Sequence, residues 1–137
     1  MLTKTEEDVL YLIRCGALNQ TPSTEKVNQM AMKDVYNLCT RHSVAAFVAY
    51  TLEQMKQPFD MQEKWKETYM QAIHYRMVMD NIAKELFEYL EDQKCWYMPL
   101  KGYVLKDLYP AYGTRQMGDL DVLFDPKFRK MIYSYFT

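Results

Sequence analysis

Residues 99–124 read PLKGYVLKDLYPAYGTRQMGDLDVLF, and this stretch decides the fold that we expect. The apolar run CWYMPL at 95–100 predicts a short strand, which Lys101-Gly102 closes as a turn. Residues 103–109 predict a short helix that Pro110 ends. A loop containing two glycines leads to DLDVLF at 119–124, where alternating acidic and apolar residues predict a second strand.

Asp119 and Asp121 stand two residues apart at the start of this second strand. Side chains at i and i+2 of a strand point to the same face, so their carboxylates can converge on one or two divalent cations. Mg²⁺ takes such oxygen ligands and completes its shell with substrate phosphates. Leu120, between them, is expected to face the core. Acidic alternation is also common on exposed strands, so the pair alone does not identify a metal site.

The chain before residue 95 has helical periodicity. Residues 5–15 predict a first helix that Gly16 ends, and Thr21-Pro22-Ser23 begins a second helix running through Leu38. The apolar stretch 44–55 predicts a third, buried helix that ends before Pro58. Residues 60–92 contain no Gly or Pro and predict one long amphipathic helix, or two separated by a kink. Its apolar stripe is expected at Trp65, Tyr69, Ile73, Met77, Met79, Ile82, Leu86 and Leu90.

After the second strand, Asp125-Pro126 predicts a helix start, with Asp125 as N-cap and residues 127–136 as the helix. The predicted fold class is therefore α+β. A mostly helical N-terminal region, residues 1–94, precedes a partial α/β region at 95–137.

Composition excludes several classes of protein. The 137 residues are 49% hydrophobic and 26% charged, as in ordinary globular domains, and no apolar run is long enough for a membrane span. The net charge of −1 argues against a dedicated nucleic-acid-binding surface. Cys15, Cys39 and Cys95 are odd in number and widely spaced, which predicts buried free thiols in a reducing compartment. We therefore expect a cytoplasmic protein without membrane partners.

The order of these motifs resembles the DNA polymerase beta-like nucleotidyltransferase superfamily. The resemblance is closer to a bacterial nucleotidyltransferase-like family, and related abortive-infection nucleotidyltransferase toxins share a similar layout. The matching residues are Leu100, Lys101, Gly102, Leu105, Tyr109, Pro110, Arg115, Asp119 and Asp121. The fold implied for 95–137 is the first α/β elements of a polymerase-beta-like nucleotidyltransferase.

The resemblance also implies an activity, the transfer of a nucleoside monophosphate from an NTP to an unknown acceptor, whether protein, RNA or a small molecule. Asp119 and Asp121 would then be the catalytic residues and the ligands of Mg²⁺ or Mn²⁺. Gly102 would let backbone amides approach the phosphates. Lys101 and Arg115 would neutralise the charge of the triphosphate.

Two departures from the family pattern leave other functions open. The turn reads Gly102-Tyr103, where the superfamily commonly has Gly-Ser or Gly-Gly. The third carboxylate of a later strand has no equivalent, because only Asp125 follows Asp121. We therefore expect a truncated chain, or one that a partner completes, and self-association through apolar surface is a further expectation. The alternatives are a non-catalytic nucleotide- or protein-binding module and a helical interaction module in which both aspartates are surface acids.

Overall fold

Seven α-helices and a two-stranded sheet make up the protein in the computed structural model, which describes residues 1–137. None of the helices combines the length and the apolarity that a membrane span needs. The elements, in chain order, are α1 (Lys4–Ala17), α2 (Thr24–Asn28), α3 (Met32–Arg41), α4 (Ala45–Glu53), α5 (Gln62–Asp92), β1 (Tyr97–Pro99), α6 (Gly102–Leu105), β2 (Val122–Phe124) and α7 (Arg129–Phe136).

Helices α1 to α4 and the start of α5 enclose the larger of two hydrophobic cores. Helix α4 is buried over most of its length, as its apolar sequence predicts. Trp65 brings α5 into this core, where its ring packs edge-on against Tyr36 with 5.0 Å between ring centres. Ser23 caps α2 by accepting a hydrogen bond from the backbone amide of Lys26, which confirms the predicted helix start.

Gly16 does not end the first helix, contrary to the prediction, because α1 continues to Ala17. The glycine lies where α1 crosses α4. A Cβ at this position would lie 2.3 Å from Thr51 Oγ1 and 2.6 Å from Phe47 Cε1. The glycine is therefore required by close packing between two helices, and the backbone remains helical around it.

The predicted second helix is divided into α2 and α3 at residues 29–31. Val27, Met30 and Met32 are all buried in the larger core. At about 100° per residue, one straight helix would point Met32 roughly 140° away from Val27. The break allows all three side chains to enter the same core.

Helix α5 is a single unbroken helix of 31 residues, about 46 Å long at 1.5 Å per residue. The predicted apolar stripe is wrong at two positions, because the side chains of Met77 and Ile82 are 54% and 47% exposed. Arg76 is buried instead, at 5% exposure. The residues of α5 that face inward recur at intervals of three as well as four positions. The inward face therefore includes Arg76 as well as Ala83 and Leu86.

The end of α5, the sheet and α7 enclose the smaller core, which Leu86, Leu90, Cys95 and Ile132 form. Strands β1 and β2 pair antiparallel, with Met98 opposite Leu123. Each strand has three residues, fewer than predicted.

Asp125 caps the segment that follows, as predicted, although its first turn, Pro126–Phe128, is a 3₁₀ turn that leads into α7. All three cysteines are free and buried, which confirms the predicted buried thiols, whereas the reducing compartment stays a prediction.

The architecture is mixed and mostly helical with one small antiparallel sheet, in agreement with the predicted α+β class. The specific polymerase-beta-like fold stays a prediction. Helix α5 contributes residues to both cores. The predicted division of the chain into two regions at residue 95 also stays a prediction.

Candidate functional site

The chain makes a tight turn between β1 and α6. The backbone amide of Leu100 donates a hydrogen bond to the carbonyl of Asp121, 2.9 Å away, so the two strand ends stay joined next to the turn. Lys101 has φ 48° and ψ −123°, in the left-handed half of the map that favours glycine. Its carbonyl accepts hydrogen bonds from the amides of Val104 and Leu105, and this begins α6 directly at Gly102.

Asp119 and Asp121 lie just before β2, whereas the sequence predicts them inside the strand. Side chains nevertheless already point alternately to opposite faces from Asp119 onward. Leu120, Val122 and Phe124 pack against the smaller core, as predicted for Leu120. Asp119 is exposed and forms no hydrogen bond or ion pair, whereas Asp121 is partly buried.

Lys101 and Asp121 come together across the turn. The ammonium Nζ of Lys101 lies 3.2 Å from Oδ2 of Asp121, with the lysine side chain 75% exposed and the aspartate side chain 34% exposed. One predicted phosphate-binding residue therefore contacts one predicted metal ligand. The pair contributes little energy, because Lys101 is exposed and solvent screens the interaction.

Arg115 lies over Gly102. A Cβ on Gly102 would lie 3.2 Å from Nη2 of Arg115 and 3.5 Å from its Nε. The opposite nitrogen, Nη1, donates to the hydroxyl of Tyr109 at 3.3 Å, and the guanidinium lies 5.5 Å from the centre of the Tyr109 ring. Nε of Arg115 is buried and has no hydrogen-bond partner. Because Gly102 has no side chain, the guanidinium of Arg115 can lie directly against the turn.

A group of ion pairs around the buried Arg76 and Lys106, which the sequence did not reveal, fastens the segment after the turn to α5. Nε of Arg76 donates to both carboxylate oxygens of Asp80 at 2.9 Å, and its Nη2 donates to Asp107 at 3.2 Å. Lys106 is also buried and binds Asp107 at 3.2 Å. The hydroxyl of Tyr112 donates to Asp80 at 2.7 Å. The i, i+4 spacing of Arg76 and Asp80 on the inward face of α5 was the available signal.

These contacts shift two ionisation equilibria. The hydrogen bond from Lys106, aided by Arg76, lowers the pKa of the Asp107 carboxyl below its ordinary value. Burial, together with the hydrogen bond to Asp80, raises the pKa of the Tyr112 hydroxyl to about 12. The tyrosine therefore stays a proton donor, and the aspartate an anion, throughout the neutral range.

Two cavities flank Arg115 and Gln116. The larger cavity, about 530 Å³, lies between α1, the α3–α4 turn and residues 108–116, and includes His42, Phe47 and Tyr109 in its lining. The smaller cavity, about 320 Å³, lies on the α5 side. The side-chain oxygen of Gln116 accepts a hydrogen bond from the amide of Ala46 at 3.3 Å, which ties the loop to the start of α4.

A strand, a glycine turn, a short helix and a second strand preceded by Asp-x-Asp are consistent with a nucleotidyltransferase-like α+β domain. The family model described as "Uncharacterised nucleotidyltransferase" matches residues 28–133, which is most of the chain. The chain therefore belongs to this family, and the membership indicates nucleotidyl transfer with an NTP as substrate. No curated protein and no solved structure matches the chain.

Proposed function

We propose that this protein transfers a nucleoside monophosphate from an NTP to an acceptor, with residues 101–121 as the catalytic site. In this reaction an acceptor oxygen attacks the α-phosphorus, and pyrophosphate leaves. The observation that carries the proposal is the convergence at one turn of Lys101 on Asp121 and of Arg115 on Gly102.

The donor set suits Mg²⁺ or Mn²⁺. Asp119 has an exposed carboxylate without a protein partner, and Asp121 already attracts a cation, the ammonium of Lys101. These are two hard oxygen donors, and Mg²⁺ commonly takes one or two carboxylates while phosphates of the substrate complete its shell. We therefore assign Asp119 and Asp121 as the metal ligands. A bound cation would neutralise phosphate charge and make the attacking hydroxyl more acidic.

The turn and Arg115 would bind the triphosphate. Gly102 presents backbone without a side chain at the start of α6, so phosphate oxygens can approach closely. Arg115 offers a guanidinium whose buried Nε lacks a partner in the protein. A guanidinium binds phosphate through two parallel hydrogen bonds, which would orient the triphosphate as well as neutralise it. Lys101 would supply a second positive charge once it leaves Asp121.

The experiment that tests the metal and nucleotide assignments is a titration of all four NTPs, with and without Mg²⁺. The proteins are the wild type, Asp119→Asn and Asp121→Asn. Asp92→Asn is the matched control, because Asp92 is exposed at the end of α5 and makes no ion pair. We expect metal-dependent binding in the wild type and the control and its loss in both site variants. Full binding by the two variants would contradict the proposal.

A second candidate, nucleotide binding without transfer, is favoured by one observation. Lys101 neutralises Asp121, and a lysine that kept this position would leave the carboxylate unavailable to a metal. Incubation with NTPs labelled at the α-phosphate, in the presence of protein, RNA and small-molecule fractions, separates the candidates. Labelled product with release of pyrophosphate supports transfer, whereas tight binding without product supports the second candidate. The acceptor and self-association stay predictions.

A further inference from the structure

The larger cavity has a lining suited to a nucleoside. Its apolar walls include Ile13, Val44, Phe47 and Leu108, and its polar groups include His42 and Arg115. A volume of about 530 Å³ lies within the range of roughly 300–1,000 Å³ that is typical of small-molecule sites. Aromatic and aliphatic walls with a few polar groups suit a flat base and its ribose.

The charge of the larger cavity favours an anionic ligand. The chain contains 18 acidic residues, yet none of them lines this cavity. Arg115 supplies a positive charge at the side of the cavity that meets the loop. A ligand with an apolar body and a negative tail therefore finds attraction and no repulsion from carboxylates.

Arg115 connects the larger cavity to the turn. It lines the cavity, and its guanidinium also lies against Gly102. Tyr109 and Pro110 line the cavity as well, next to the same guanidinium. A ligand that fills the cavity and extends along Arg115 consequently reaches Gly102 and, beside it, the pair formed by Lys101 and Asp121.

We propose that the larger cavity binds the nucleoside part of the NTP, whose triphosphate then passes Arg115 to the turn at Gly102. This inference rests on the proposed function. The smaller cavity shares Arg115 and Gln116 but has about 320 Å³ and does not include Tyr109. The larger cavity also offers the edge-on ring pair of Phe47 and Tyr109, with centres 6.1 Å apart, as an aromatic wall.

The test separates the nucleoside from the triphosphate. Ala17→Phe and Leu108→Trp each add a ring to an exposed residue of the larger cavity, one at the end of α1 and one after α6. Gln71→Phe adds a ring to an exposed residue of the smaller cavity and is the matched control. Binding of the best-bound NTP and of inorganic tripolyphosphate is measured for each variant with Mg²⁺, after circular dichroism and thermal melting have verified folding.

We expect the two filling variants to weaken NTP binding about tenfold or more, because the added ring takes the space of the base. Tripolyphosphate binding should stay within about twofold of wild type, since both variants keep Arg115 and the turn at Gly102 unchanged. Gln71→Phe should leave both ligands unaffected. Unchanged NTP binding in both filling variants, or an equal loss in Gln71→Phe, would overturn the assignment while the proposed function stands. If wild type binds neither NTP nor tripolyphosphate, the proposed function fails together with it.

Discussion

The ammonium of Lys101 lies 3.2 Å from the carboxylate of Asp121, across the turn that joins β1 to α6. Lys101 holds this position from a left-handed backbone conformation that non-glycine residues rarely adopt. Strain of this kind persists where the surrounding structure imposes it. The pair places a protein cation where we propose that a metal binds, so the two cations should compete for Asp121.

Replacement of Lys101 should therefore strengthen metal binding in the absence of nucleotide. We expect Lys101→Gln to lower the Kd for Mn²⁺ about two- to fivefold, since an exposed ion pair contributes little energy. The same variant should weaken binding of the metal–NTP complex, because a positive charge near the triphosphate is lost. Calorimetry, or electron paramagnetic resonance of free Mn²⁺, measures the first effect.

Lys127→Gln is a closely matched control for this prediction. Lys127 Nζ lies 3.1 Å from Asp125 Oδ2, and the two side chains are exposed to almost the same extent as Lys101 and Asp121. Lys127 lies outside the proposed site, so its loss should leave Mn²⁺ affinity unchanged. An equal gain in both variants would show a nonspecific effect of net charge and contradict the competition.

Gly16 should tolerate no side chain. Gly16→Ala would place a Cβ against Thr51 and Phe47, and we expect about 1–3 kcal/mol of lost stability from this overpacking. Gly118→Ala is the control, because nothing lies within 4 Å of the position that its Cβ would take. Urea unfolding of the two variants compares the free energies. Equal stabilities would show that α1 and α4 can separate without loss.

Arg76 is buried and should stabilise the fold through its ion pairs with Asp80 and Asp107. Arg76→Met removes the charged hydrogen bonds of a buried guanidinium, and we expect about 1–3 kcal/mol of destabilisation, because Asp107 is 74% exposed and keeps Lys106 as its partner. Lys66→Met, at an exposed position of the same helix, should change stability by less than about 0.5 kcal/mol. Identical unfolding curves for the two variants would mean that the ion pairs of Arg76 do not stabilise the fold.

Asp107 should make stability fall in acid. Its pKa is lowered below the ordinary 3.8 in the folded protein, first by the hydrogen bond from Lys106. As the pH falls, the unfolded chain therefore binds more protons than the folded protein does. The stabilisation from Asp107 is complete above pH 3.8 and is lost as the pH falls through the lowered pKa of the folded state. Wild type should exceed Asp107→Asn in free energy of unfolding at pH 6, and the difference should shrink in acid.

Asp92→Asn removes a carboxylate that takes part in no ion pair, and its difference from wild type should depend less on pH. A difference for Asp107→Asn that stays constant from pH 6 downward would contradict the role assigned to the ion pairs of Asp107.

Much of the local structure followed from the sequence because its causes lie within a few residues. Asp125 and Pro126 begin the segment before α7 through a capping hydrogen bond, and Leu120 faces the core because side chains alternate along an extended chain. Gly16 was misassigned for the complementary reason. A glycine in a helical pattern is compatible with a helix end or with a close helix crossing, and only the neighbouring helix distinguishes them.

The sequence by itself determined the α+β class, the turn at Gly102, the Asp-x-Asp pair and the family resemblance, since each depends on spacing along the chain. Tertiary structure alone decided that Lys101 contacts Asp121, that Arg115 covers Gly102, and that Arg76 reaches Asp107, 31 residues away. It also formed the cavity beside Arg115 from helices at one end of the chain and a loop at the other. Such contacts depend on how distant segments pack, and no local periodicity encodes that geometry.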